Sequence, residues 1–153
     1  MNRISKLLIL VLALFSTLLV GCKEKKFSLS DKYYDSENYG IIESSLEEVV
    51  EAENNKESFI TFIYLNGCST CDKLKGILDT FLVEAKIKVY AVAYDKLEKG
   101  TTLKATVRYA PSVVIFKKGK VVDFLDTASD KDIDRFNSFD AFKEWIESYI
   151  EVK

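Results

Sequence analysis

The chain has 153 residues, with 22 basic and 24 acidic side chains, no histidine, one proline and three cysteines. Its length suits one packed domain, and a 48% hydrophobic content rich in branched and aromatic residues excludes disorder, collagen-like repeats and solenoids. A net charge of -2 offers no cationic surface for a phosphate backbone, so no nucleic acid partner is expected, and the missing histidine excludes His-based triads and His metal ligands.

Arg3 and Lys6 precede an almost unbroken apolar run from Leu7 to Val20. The run falls short of the roughly 20 residues that span a hydrocarbon core, so residues 1–21 read as an export signal rather than a permanent anchor. Leu19-Val20-Gly21-Cys22 ends it. This tetrapeptide resembles the bacterial lipobox, an aliphatic residue and two small positions before a cysteine. The resemblance implies that Cys22 carries the lipid and becomes the first residue of a mature chain anchored to the cell membrane on its extracytoplasmic face. Two or more acyl chains give stable anchoring. Residues 22–40 then read as a tether: Lys23 to Tyr39 is charged, lacks apolar periodicity and suits a spacer, with Lys23, Lys25 and Lys26 placed for anionic headgroups. Tyr33, Tyr34 and Tyr39 either pack on the domain or form a partner patch.

The folded domain is expected over residues 41–153. Ile41 and Ile42 suggest a brief strand, and Ser45-Leu46-Glu47-Glu48 fits a capping box that starts a short helix with Leu46, Val49 and Val50 on one face. Phe59 to Leu65 is β-branched and aromatic without alternation, which predicts a central strand covered on both faces. Asn66-Gly67 breaks it, and Leu74, Ile77, Leu78, Phe81 and Leu82 predict a helix from Cys68 to about Ala85. Val89 to Tyr94 reads as a second buried strand, followed by a weak helical segment near Leu103 to Tyr109 that Ala110-Pro111 ends. Lys118-Gly119 predicts a tight hairpin between Val113–Phe116 and Val121–Leu125. Asp130, Asp132 and Asp134 alternate, but Arg135 and Ala141 stand where a calcium loop needs glycine and glutamate, so a solvated acidic loop is expected. Phe139, Phe142, Trp145, Ile146, Tyr149 and Ile150 mark a last amphipathic helix, capped by Asn137 or Ser138.

Cys68-Ser69-Thr70-Cys71 stands where the central strand gives way to a helix. Zinc wants four ligands, and with histidine absent and Cys22 committed to lipid the chain has too few. A purely structural disulfide would close a very short loop and add little entropic stabilisation. At a helix N-terminus the unpaired N–H groups and the dipole favour thiolate, and two cysteines one turn apart can trade a disulfide with a substrate. Export into an oxidising compartment fits either a locked or an exchanging pair.

The strand-CxxC-helix unit, the lone proline before a hairpin and the closing amphipathic helix, in this order, resemble the thioredoxin superfamily over about residues 41–150. The resemblance implies an α/β thioredoxin-like fold, a central mixed sheet with flanking helices, after the lipoprotein signal. It implies Cys68 as exposed nucleophile and Cys71 as resolving thiol, forming a redox-active disulfide. It also implies that Pro111 is cis and that the backbone of Ala110 pairs with the substrate chain. No metal or organic cofactor is implied.

Departures from the family pattern narrow the reading. Thioredoxin proper has Trp-Cys-Gly-Pro-Cys, a buried aspartate in the preceding strand and a lysine in the next; here Gly67 precedes Cys68, and Phe62 and Ala91 take the other two positions. Tyr109 stands where a glycine is common. The combination is similar to thioredoxin-like lipoproteins of Gram-positive bacteria, including those that accompany bacteriocin export. Expected is a thiol-disulfide oxidoreductase acting on protein or peptide thiols and disulfides in the reducing direction, supplied by a membrane electron donor. The rival is a binding or accessory lipoprotein with an inert CxxC.

Overall fold

Five strands build one mixed sheet in the computed structural model, which describes residues 26–153. The export signal and Cys22 lie outside the described residues. The strands are β1 (Gly40–Glu43), β2 (Phe59–Tyr64), β3 (Lys88–Ala93), β4 (Ser112–Lys117) and β5 (Lys120–Phe124), in spatial order β1-β3-β2-β4-β5. β1 and β2 flank β3 in parallel, whereas β4 runs antiparallel to both β2 and β5. The expectation of a central mixed sheet holds. β2 lies in the middle and Phe59, Ile60, Thr61, Phe62 and Ile63 are all buried, which is why that run carries no polar alternation.

Helix α1 (Leu46–Asn54) starts at the expected capping box: Ser45 accepts the Glu48 N–H, and Glu48 accepts the Ser45 N–H. α2 (Ser69–Ala85) buries Leu74, Leu78, Phe81 and Leu82 along one face. The weak helical segment condenses to α3 (Thr102–Thr106), capped by Thr101. Near the C-terminus, α4 (Ile133–Asn137) precedes α5 (Phe139–Glu147), which is capped by Ser138 and buries Phe142, Trp145 and Ile146. α2, α4 and α5 pack against one another.

Two regions differ from the sequence reading. The stretch expected as a spacer belongs to the packed unit from Phe27 onward. Phe27 pairs with Ile150 as an isolated bridge, Leu29 is buried, and Tyr33 sits in a short 3-10 turn (Asp31–Tyr33) against Phe59 and Tyr90. The buried Tyr33 hydroxyl donates to Glu57, and burial followed by that hydrogen bond pushes its pKa far up. These residues are held one at a time by different partners, so no periodicity announces them. Of the tyrosine alternatives, packing on the domain holds for Tyr33. Tyr34 bridges to Ile87 and donates to the Glu151 carbonyl, and Lys86 stacks over Tyr39.

The acidic stretch is the second difference. Asp132 is fully buried rather than solvated: it pairs with Arg135 and accepts the Asp126 N–H at 3.0 Å. Asp130 and Asp134 are exposed, so the three carboxylates do not converge.

Candidate functional site

β2 ends at Tyr64, and Gly67, at φ +72, bends the chain from the strand into α2. That left-handed conformation favours glycine. Cys68 is the N-cap of α2, and Cys68 and Cys71 are joined by a disulfide, with their Cα atoms 5.2 Å apart. The pair is asymmetric. Cys68 is half-buried, whereas Cys71 is 3% exposed. Donors converge on both sulfurs: the Cys71 N–H reaches Cys68 Sγ at 3.1 Å, and the Leu65 N–H reaches Cys71 Sγ at 3.4 Å. The Thr70 hydroxyl lies 3.2 Å from Cys68 Sγ and can donate to it. A thiolate at Cys68 would inherit these donors and the positive end of the helix dipole.

The Ala110–Pro111 bond is cis. Pro111 is buried and Ala110 partly exposed, immediately before β4. Ser112 fixes the start of β4 by donating to the Leu125 carbonyl at 2.7 Å, while the Tyr94 hydroxyl donates to the Arg108 carbonyl and braces the approach. Thr70, Ala110 and Pro111 line one cavity of about 310 Å³, whose other wall includes Ile133 and Phe136 of α4. The fold therefore brings the CxxC segment and the Ala110-Pro111 dipeptide, about 40 residues apart in sequence, to one groove. Cys22 lies outside the described residues.

Sequence reasoning missed three contributors. Thr70, passed over as a spacer between the cysteines, faces both Cys68 Sγ and the groove. α4 supplies a groove wall that the expected acidic loop would not, and Lys73 of α2 ties it in place by donating to Asn137 Oδ1. Behind the pair, Cys71 borders a second cavity of about 160 Å³ with Glu43, Phe62, Tyr64, Asp72 and Lys75 among its walls. Phe62 and Ala91, the two positions singled out as departures, lie in register across β2 and β3 and are buried. Lys75, one turn after Cys71 on α2, forms its ion pair with Asp79 at 2.7 Å.

The sequence matches no protein-family model and no curated protein. Its structure is similar to solved thioredoxins. A mutant thioredoxin from Halobacterium salinarum NRC-1 is 22% identical, with a TM-score of 0.54 covering 74% of this chain and 94% of that one. Thioredoxin O1 from Arabidopsis thaliana in the oxidized state is 16% identical, with a TM-score of 0.53 over 73% and 99% of the two chains. A thioredoxin from Trypanosoma brucei brucei is 14% identical, with a TM-score of 0.51 over 71% and 92%. The sheet order, the CxxC at the head of α2 and the cis proline before β4 agree with these neighbours in one conclusion: the chain has the thioredoxin-like fold.

Proposed function

We propose that this chain is a thiol-disulfide oxidoreductase, lipid-anchored through Cys22 on the extracytoplasmic face of the cell membrane, working through Cys68 and Cys71 in the reducing direction. The observation that carries the reading is the Cys68-Cys71 disulfide at the N-terminus of α2, with its CxxC segment and Ala110-Pro111 lining one groove. Exposure and hydrogen bonding support Cys68 as the attacking sulfur and the buried Cys71 as the resolving one. In the reducing direction the Cys68 thiolate attacks a substrate disulfide, giving a mixed disulfide and one substrate thiolate. Cys71 then attacks Cys68, closing the intramolecular disulfide and releasing the second substrate sulfur. The substrate chain runs beside Ala110, whose backbone pairs with it.

The fold also bears on the anchor. Phe27 enters near the start of β2, where Ser30 N–H donates to the Ser58 carbonyl, while the dithiol follows the end of that strand. On this reading an electron donor in the membrane re-reduces the dithiol after each turnover.

The test is trapping in cells. Cys71→Ala removes the resolving attack, so mixed disulfides accumulate on Cys68 and disappear in the Cys68→Ala/Cys71→Ala double variant. If Cys71→Ala traps nothing and Cys68→Ala leaves cells unchanged, the chain is the binding module with an inert CxxC. Mass spectrometry of the mature N-terminus checks the anchor, and a processed chain with unmodified Cys22 overturns it.

A further inference from the structure

In the exchange reaction proposed above, the resolving step needs a home for one proton. Cys71 is buried, and a buried thiol resists ionisation because its thiolate loses hydration. Along the strands behind it, Phe62 and Ala91 offer no titratable group. The second cavity does. Glu43, the last residue of β1, and Tyr64, the last of β2, line it together with Cys71, and the Tyr64 hydroxyl donates to Glu43 Oε2 at 2.7 Å. Glu43 is exposed, so the cavity lies between the buried sulfur and a solvent-accessible carboxylate.

We propose that Glu43 is the proton acceptor for the Cys71 thiol during the resolving step, with Tyr64 as the positioning residue that holds its carboxylate over the cavity. The proton of Cys71 passes to Glu43, directly or through water filling the cavity. Cys71 thiolate attacks the Cys68 sulfur, the Cys68-Cys71 bond forms, and the bond between Cys68 and the substrate sulfur breaks. The departing substrate thiolate is protonated by solvent, and Glu43 returns its proton to water. In the reverse direction protonated Glu43 hands its proton to Cys71 as the disulfide opens.

The other charged groups that face this space argue for Glu43. Lys75 of α2 is engaged by Asp79, and Asp95, beyond β3, acts on Tyr64 only at longer range. Asp72 of α2 also borders the cavity, but no hydrogen bond ties its carboxylate to a neighbour lining it, whereas Glu43 is fixed by Tyr64. That same hydrogen bond, ahead of burial, raises the Tyr64 pKa to about 12, so the phenol stays a donor through the working range of a thiol.

The test uses the reduced full chain with Cys22→Ser, which leaves Cys68 and Cys71 as its only thiols. It is mixed with an aromatic disulfide whose thiolate product is coloured. The first coloured thiolate reports attack by Cys68, and the second reports the resolving attack by Cys71. Glu43→Gln should slow the second release about tenfold or more at neutral pH while leaving the first unchanged, with the two proteins converging at alkaline pH where solvent removes the proton. Tyr64→Phe should give a smaller loss of the same pH-dependent kind. Equal second-release rates for wild type and Glu43→Gln at every pH overturn the proposal. So does a deficit that persists undiminished at alkaline pH, or an Asp72→Asn effect as large as that of Glu43→Gln. If wild type gives no first release at all, it is the exchange reading that fails, because Cys68 is then no nucleophile.

Discussion

Two opposing influences meet at the Cys68 sulfur. The Cys71 N–H and the Thr70 hydroxyl favour a thiolate, while the carboxylate of Asp72, in the same first turn of α2, opposes one. Among the described residues no cation is hydrogen-bonded to Cys68 Sγ: Lys75 pairs with Asp79, and Lys73 donates to the neutral Asn137 Oδ1. A dithiol form that is weakly stabilised makes its disulfide hard to reduce, so the couple should be reducing, with a potential nearer roughly -270 mV than roughly -120 mV. Removing the opposing charge with Asp72→Asn should make the couple more oxidising. Titration against glutathione checks both statements, and a wild-type potential near the oxidising value would reverse the direction of the proposed reaction. The cysteines and Pro111 were legible in the sequence because each is a rare residue at an element boundary. Glu43 was not, because only the insertion of β3 between β1 and β2 brings it within reach of the Tyr64 hydroxyl and onto the cavity that Cys71 lines.

Among the elements, the β4–β5 hairpin shows how far local chemistry reaches. Lys118 and Gly119 both take positive φ, 51° and 73°, which a two-residue turn of this hand requires. Lys-Gly between two β-branched runs announces that turn. What no local pattern announces is its docking: a Cβ on Gly119 would stand 2.2 Å from the Glu53 carbonyl oxygen, and the Gly119 N–H donates to the Glu57 carbonyl at 2.7 Å. Gly119→Ala should therefore destabilise the fold by about 2 kcal/mol or more, from backbone conformation and backbone overlap together. Urea unfolding of the purified variant measures it. α4 is the opposite case. Three alternating aspartates look like a solvated loop, yet Asp132 is buried by its pairing with Arg135 and the Asp126 N–H, contacts that residue type alone cannot distinguish from exposure. Arg135→Met would leave that carboxylate buried without its cation, and we expect a loss of about 2 kcal/mol by the same unfolding assay. Because α4 forms a wall of the groove, the loss should be accompanied by weaker peptide binding there.

At the scale of the whole molecule, the segment from Phe27 to Tyr39 fastens the start of the domain to its far parts. Phe27 exchanges backbone hydrogen bonds with Tyr149 and Glu151, Ser30 N–H donates to the Ser58 carbonyl while Ser30 Oγ accepts the Ser58 N–H, and Asp35 N–H donates to the Lys86 carbonyl. Sequence periodicity is blind to a strap whose anchoring residues reach the C-terminus, β2 and the end of α2 in turn. Asp35 is its most informative titrating anchor. The Lys88 ammonium, 2.7 Å away, followed by the backbone N–H groups of Asn38 and Glu37, holds its carboxyl well below the ordinary value of 3.8. A carboxyl with a depressed folded-state pKa stabilises the fold fully above its unfolded value. The contribution declines as pH falls below about 4 and is lost as pH passes through the lowered folded value. Asp35→Asn carries no charge at any pH. Its melting temperature should lie below that of the wild type at neutral pH, by a margin that salt reduces because the pair is at the surface. The two melting temperatures should approach each other as the solution is taken into acid below pH 4. Thermal unfolding of both proteins across this range measures the margin. A difference that stays constant from neutral pH into acid would mean that Asp35 serves the strap through the shape of its turn and not through its charge.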